Sequence, residues 1–145
     1  MSPELRLTLP HEALGAILRA SRTIAVVGLS PNPARPSHEV ARYLQEAGYR
    51  IVPVRPGVTR ILGEPCHPDL AAAAATAGPL DIVNVFRRSE AIPGLYAALL
   101  EARPRLVWMQ VGVKDAVVAE RLEKAGISVV MDRCLMVDHA RLVSA

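Results

Sequence analysis

Five short apolar runs, each followed by a helical pattern or a turn, constrain this chain more than any other feature. They are TIAVVGL at 23–29, YRIVPV at 49–54, DIVNVF at 81–86, RLVWMQV at 105–111 and ISVVM at 127–131. Each is too short for a buried helix and is rich in branched residues, so each reads as a strand buried on both faces. The segments between them carry helical spacing. Residues 11–20 place Leu14, Ile17 and Leu18 on one face, behind Pro10. Residues 38–47, with Ser37 as the expected N-cap, place Val40, Tyr43, Leu44 and Ala47 together and stop at Gly48. An alanine-rich helix is expected over 69–77, ended by Gly78-Pro79.

The pattern continues to the end of the chain. A helix over 90–102, with Ser89 as its expected cap, carries the stripe Ile92, Leu95, Tyr96, Leu99, Leu100. Asp115 opens another helix, with Glu120 and Lys124 as an i, i+4 pair and Gly126 as its stop. A last short helix fits 134–143. Pro53 has no ladder donor, which puts it near a strand end or on an edge. Strands alternating with helices predict an α/β fold: a single Rossmann-like, doubly wound, mainly parallel five-stranded sheet with helices on both faces.

Composition narrows the function classes. A chain of 145 residues is about one domain's length. At 51% hydrophobic and 21% charged it is not a disordered chain. No apolar run approaches the ~20 residues of a membrane span. The start, MSPELRLTLP, has no apolar stretch behind a basic opening, so no secretory signal is expected and the reading is cytoplasmic. Cys66 and Cys134 form no CxxC pair and are expected as reduced thiols. The net charge of +3 is mild and the arginines are scattered. With 3% aromatics there is little for a base-stacking platform, and nucleic acid is not an expected partner; nor is a membrane, and a protein partner or homo-oligomer stays open.

In an open α/β sheet, ligands bind beyond the carboxyl ends of the strands. Those positions are Gly28–Ser37, Arg55–Gly57, Phe86–Ser89, Gln110–Lys114 and Asp132–Cys134. Arg35, Arg55, Arg87, Arg88 and Arg133 fall in them, and arginine there suits phosphate oxygens. Gly28 lets the backbone turn off the first strand. Ser30, Asn32 and the first amides of the next helix then form a candidate anion cradle. A full GxGxxG fingerprint is absent. After the second strand an NAD site wants Asp or Glu, but this chain has Arg55. A cation suits a ribose phosphate, which NADP carries on the 2′ oxygen and coenzyme A on the 3′ oxygen. No HExxH, GxSxG or Walker A pattern occurs, and the His67–Asp69 and Asp138–His139 pairs are too sparse for a metal site.

Taken in order, VVGLSPNPARPSHEVARYLQEAGYRIVPV at 26–54, LGEPCHPDL at 62–70, DIVNVFRRSE at 81–90, VWMQVGV at 107–113 and VVMDRC at 129–134 resemble the small bacterial CoA-binding domain proteins. These are in turn similar to the N-terminal domain of the succinyl-CoA synthetase α subunit. The resemblance implies one CoA-binding domain over 1–145. It implies that Gly28, Leu29 and Ser30 line the pyrophosphate, with Asn32, Arg35 and Ser37 beside them. Arg55 and Pro56 would border the adenosine end, and Phe86, Arg87 and Arg88 would close the pocket. Trp108, Met109, Gln110 and Gly112 would face the pantetheine arm. The family often has Asn-Pro where this chain has Arg55-Pro56, and commonly tyrosine where it has His67.

The synthetase's phosphorylated histidine lies in a second domain absent from these 145 residues. The resemblance therefore implies non-catalytic binding of coenzyme A or an acyl-CoA rather than a ligase. Two other readings stand beside it. One is a small NADP-dependent or CoA-processing enzyme completed by a partner. The other is a CoA- or redox-sensing regulatory module, in which Cys134, just past the fifth strand, faces the thiol end of a ligand.

Overall fold

The computed structural model describes residues 9–143. Most of the chain's opening segment, residues 1–8, on which the reading of the N-terminus rests, lies outside them. Five strands form one parallel sheet: β1 (Thr23–Val27), β2 (Arg50–Val54), β5 (Ile82–Val85), β6 (Leu106–Met109) and β7 (Ser128–Val130), in the order β2-β1-β5-β6-β7. The expected strands are all present and shorter by one to three residues. Asp81 is one of the residues trimmed. Its carboxylate accepts the Arg22 and Thr23 amides at 2.8 and 3.0 Å and meets Arg105 at 3.5 Å, so it ties the amino ends of three strands together. Pro53 lies in β2, an edge strand, as its missing donor requires.

Among the described residues six helices cover the sheet: α1 (His11–Ala20), α2 (Pro36–Glu46), α3 (Leu70–Ala77), α4 (Ile92–Ala102), α5 (Ala116–Lys124) and α6 (Leu135–Leu142). The side chains of each strand alternate between two cores. Ile24, Val26, Ile51, Ile82 and Trp108 pack with Leu14, Leu18, Val40, Leu44 and Leu135 under α1, α2 and α6. Ala25, Val27, Val83, Val85 and Met109 pack with Ala73, Leu99, Val118 and Leu122 under α3, α4 and α5. Every position of β1, β5 and β6 is buried, which is why these runs lack polar alternation.

Two helix starts differ from expectation. Pro36 occupies the first turn of α2, so the cap falls on Arg35 and Ser37 lies inside the helix. A turn of 3-10 helix, Ser89–Ala91, precedes α4. The Ser89 hydroxyl does not cap it; it accepts the Lys114 amide and donates to Gly112 O. By contrast Asp69 and Asp115 cap α3 and α5 by accepting the Ala72 and Val118 amides. A small hairpin, β3 (Arg60–Ile61) with β4 (Glu64–Pro65), sits between β2 and α3. Strands of two residues carry no readable period.

Candidate ligand site

From β1 the chain leaves through α2 to β2 on one side; from β5 it leaves through α4 to β6 on the other. The crevice where connections part in this way lies between the carboxyl ends of β1 and β5. Gly28 ends β1 there with φ +87. A Cβ on it would lie 2.2 Å from Phe86 O and 3.1 Å from Arg87 Cδ. Glycine is therefore demanded by the packing of two strand ends, before any ligand is considered.

The loop after Gly28 is built by its own side chains. The Ser30 amide donates to Ser37 Oγ at 2.9 Å. The Asn32 amide donates to Ser30 Oγ and the Ala34 amide to Asn32 Oδ1. His38 Nδ1 lies 2.9 Å from Ser30 O, so that nitrogen carries the proton and donates. His38 thus acts as a buried brace of the loop. Pro36 has no N–H, and the His38 and Glu39 amides return to Arg35 O at 3.1 and 3.2 Å. The start of α2 offers fewer donors to an anion than the sequence suggests.

A cavity of about 600 Å³ opens at this crevice, within the range of small-molecule sites. Of the expected site residues, Gly28, Ser30, Arg35, Ser37, Arg55, Phe86 and Gln110 line it. Gly28, Arg55 and Phe86 also line an adjoining chamber with Pro56 and Arg87. Arg55 is half-buried and its guanidinium donates to Leu29 O at 3.3 Å, which holds the side chain over the loop. Leu29 itself is fully buried, and Asn32 is exposed on the turn.

Five others stand elsewhere. Arg88 borders a separate, shallow depression with Arg87, Glu90 and Ala91. Met109 and Trp108 are fully buried on opposite faces of β6 and do not line the cavity; successive side chains of a strand point into the cores on its two faces and not past its end. Gly112 has φ +84, and its amide donates to Asp132 Oδ1 at 2.7 Å. Arg133 is taken up by Asp138, at 2.8 and 2.9 Å, and so is not an open cation at the mouth.

The cavity also contains Val111, Val113 and Cys134, which lie in the strand-end loops, and three residues that the strand ends did not mark: Met136 at the start of α6, and Glu39 and Val40 on α2. Val111 is 67% exposed and offers an apolar surface to the cavity. Glu39 sets one negative charge opposite the arginines.

Gln110 joins the two halves of the site. It is only 5% exposed. Its Oε1 accepts the Leu135 amide at 2.9 Å and Asn84 Nδ2 at 3.2 Å. Its Nε2 is left as a donor with no partner among the described residues. Asn84, fully buried in β5, also donates to Trp108 O. No three His, Cys, Asp or Glu side chains stand together to hold a metal among the described residues. No helix there is long and apolar enough to cross a membrane.

The chain is similar in sequence and fold to known proteins. YneT, an uncharacterised protein of Bacillus subtilis (strain 168), is 43% identical over 124 residues, covering 86% of this chain and 90% of its own. A Thermus thermophilus structure, cell-free ID.343, superposes with a TM-score of 0.87 at 41% identity, over 92% of this chain and 99% of that one. A hypothetical protein from Pyrococcus horikoshii OT3 gives 0.86 at 29% identity, over 93% of each. The family described as the CoA binding domain matches residues 22–140, so this chain belongs to the CoA-binding domain family.

Proposed function

We propose that the chain binds coenzyme A or an acyl-CoA without transforming it. The observation that carries this reading is the composition of the cavity along the sheet edge. Arg55 follows β2, Gly28 and Ser30 follow β1, Phe86 and Arg87 follow β5, Gln110 to Val113 follow β6, and Cys134 follows β7. The arginines gather at one end, and Val111, Val113 and Met136 at the other. Coenzyme A has the matching asymmetry: phosphates at its nucleotide end, a long amide-bearing arm at the other. The pyrophosphate would lie over the 28–37 loop, with Arg35 neutralising it. Arg55 and Arg87 would take the 3′-phosphate, and the Gln110 Nε2 would donate to an arm carbonyl. Two thiols without disulfide partners suit a reducing cytoplasm.

Calorimetric titration with CoA, dephospho-CoA, NADPH and NADH tests the assignment. CoA should bind best. Arg55→Ala should weaken CoA about tenfold, the worth of one charge-assisted contact, and leave dephospho-CoA nearly unchanged. Preference for NADPH, or an equal loss for both CoA forms, would overturn it.

A further inference from the structure

Cys134 stands in a more constrained place than a cysteine chosen only to fill space. It is the N-cap residue of α6 and is half-buried on the wall of the main cavity. The residues on either side are pinned by side chains of one strand and its end. Trp108 Nε1 donates to Arg133 O at 2.8 Å, and the Leu135 amide donates to Gln110 Oε1 at 2.9 Å. The turn before them is pinned as well. Asp132, in the left-handed region at φ +58, accepts the Gly112 amide and donates its own amide to Val113 O. Cys134 thereby lines the same cavity as the buried Gln110, whose Nε2 has no partner among the described residues.

That pairing addresses one part of a ligand. A free amide donor suits a carbonyl of the arm, and a thiol on the wall of the same cavity suits the sulfur at the arm's end. The spacing agrees. Cys134 follows β7 and Arg55 follows β2, four inter-strand steps away, about 19 Å at about 4.8 Å per step. Both line one cavity. A ligand bound with its ribose phosphate at Arg55 and its arm along the sheet edge ends at Cys134.

We infer that Cys134 is a covalent capture point for the sulfur end of the ligand, forming a mixed disulfide with coenzyme A; the inference rests on the coenzyme A reading above. The co-reactant is coenzyme A disulfide. The Cys134 thiol loses its proton to solvent and its sulfur attacks the nearer sulfur of that disulfide. The Cys134–CoA disulfide bond forms, the original bond breaks, and the second CoA leaves as a thiolate that takes a proton. One disulfide is consumed and one is made, so no further oxidant enters. Cys66 does not share this setting. It lies outside the cavity, its thiol donates to Arg55 O at 3.5 Å, and burial pushes its pKa up.

The test uses the reduced full-length chain incubated with coenzyme A disulfide and read by mass spectrometry. One CoA should add per chain, on the tryptic peptide 134–141 and not on 61–87, and dithiothreitol should release it. Labelling should run at least about tenfold faster than with glutathione disulfide, because binding positions the reacting sulfur. Free CoA should slow it. Cys134→Ser should take no adduct, and Cys66→Ser should still take one. An adduct confined to 61–87, or equal rates with both disulfides, would sink the inference. Absence of an adduct in protein that calorimetry shows to bind CoA would sink it alone. Absence of CoA binding would remove the coenzyme A reading, and the inference with it.

Discussion

A methyl group at position 28 would collide with Phe86 O, a backbone atom that cannot swing aside. Gly28→Ala should therefore cost about 2–4 kcal/mol and lower Tm by about 5–15 °C. Gly126→Ala is the control. Its φ of +91 is equally unfavourable for alanine, but nothing lies within 4 Å of the new carbon. It should lose only about 1–2 kcal/mol. Scanning calorimetry of the two variants separates collision from backbone strain. His139 offers a second measurement at this scale. It is buried, its Nδ1 lies 2.9 Å from Tyr43 OH, and Tyr49 packs edge-on against it. Burial lowers its pKa. The unfolded chain therefore gains this proton first as pH falls. The stability contributed by the neutral ring is present above about 6.5, the ordinary histidine value, and is lost as pH falls through the lowered native one. Tm should drop between pH 7.5 and 5, and His139→Phe should flatten that drop. At single residues the sequence was a fair guide to the site where a loop follows a strand, as for Ser30, Arg55 and Phe86. It was a poor one for Met109, because which face a strand's last residue takes depends on a register that no residue type declares. Arg133 was misjudged for a different reason: its partner, Asp138, is on the next helix and comes within reach only once α6 docks.

The joint between β6 and α6 is the element that sets the far wall of the cavity. Trp108 contributes packing in the core and one bond to Arg133 O. Trp108→Phe should cost about 1–3 kcal/mol. Hydrogen exchange should rise at residues 133–136 well before it rises in β1, and the affinity for CoA should fall with it. Equal exchange in both places would mean that the joint is not a separable unit. Helices and strands were legible because their periods come from burial: i, i+3, i+4 for the helices and unbroken apolar runs for the sheet. Their ends were less so. Proline at the first turn of α2 moved the cap from Ser37 to Arg35, and the 3-10 turn at Ser89–Ala91 freed Ser89 to hold the 112–114 loop instead. In both cases a serine was the right residue type in the right neighbourhood, bonded to a neighbour that only the fold supplies.

For the molecule as a whole, ligand binding and folding are linked. A ligand at about 100 times its Kd adds about 2.7 kcal/mol to stability. CoA at that ratio should raise Tm by about 5–10 °C, and NADH at the same concentration should not. A thermal shift series over CoA concentration checks both. The sheet itself has a further consequence. An open parallel sheet ends in two rows of unpaired backbone groups. On the β2 side the segment near residue 67 closes over that row: the His67 amide donates to Pro53 O, and the Arg55 amide donates to His67 O. Pro53 adds no donor of its own. On the other side β7 is only three residues long. Neither border is a good template for another chain, so strand-to-strand polymerisation is disfavoured by the way the sheet ends.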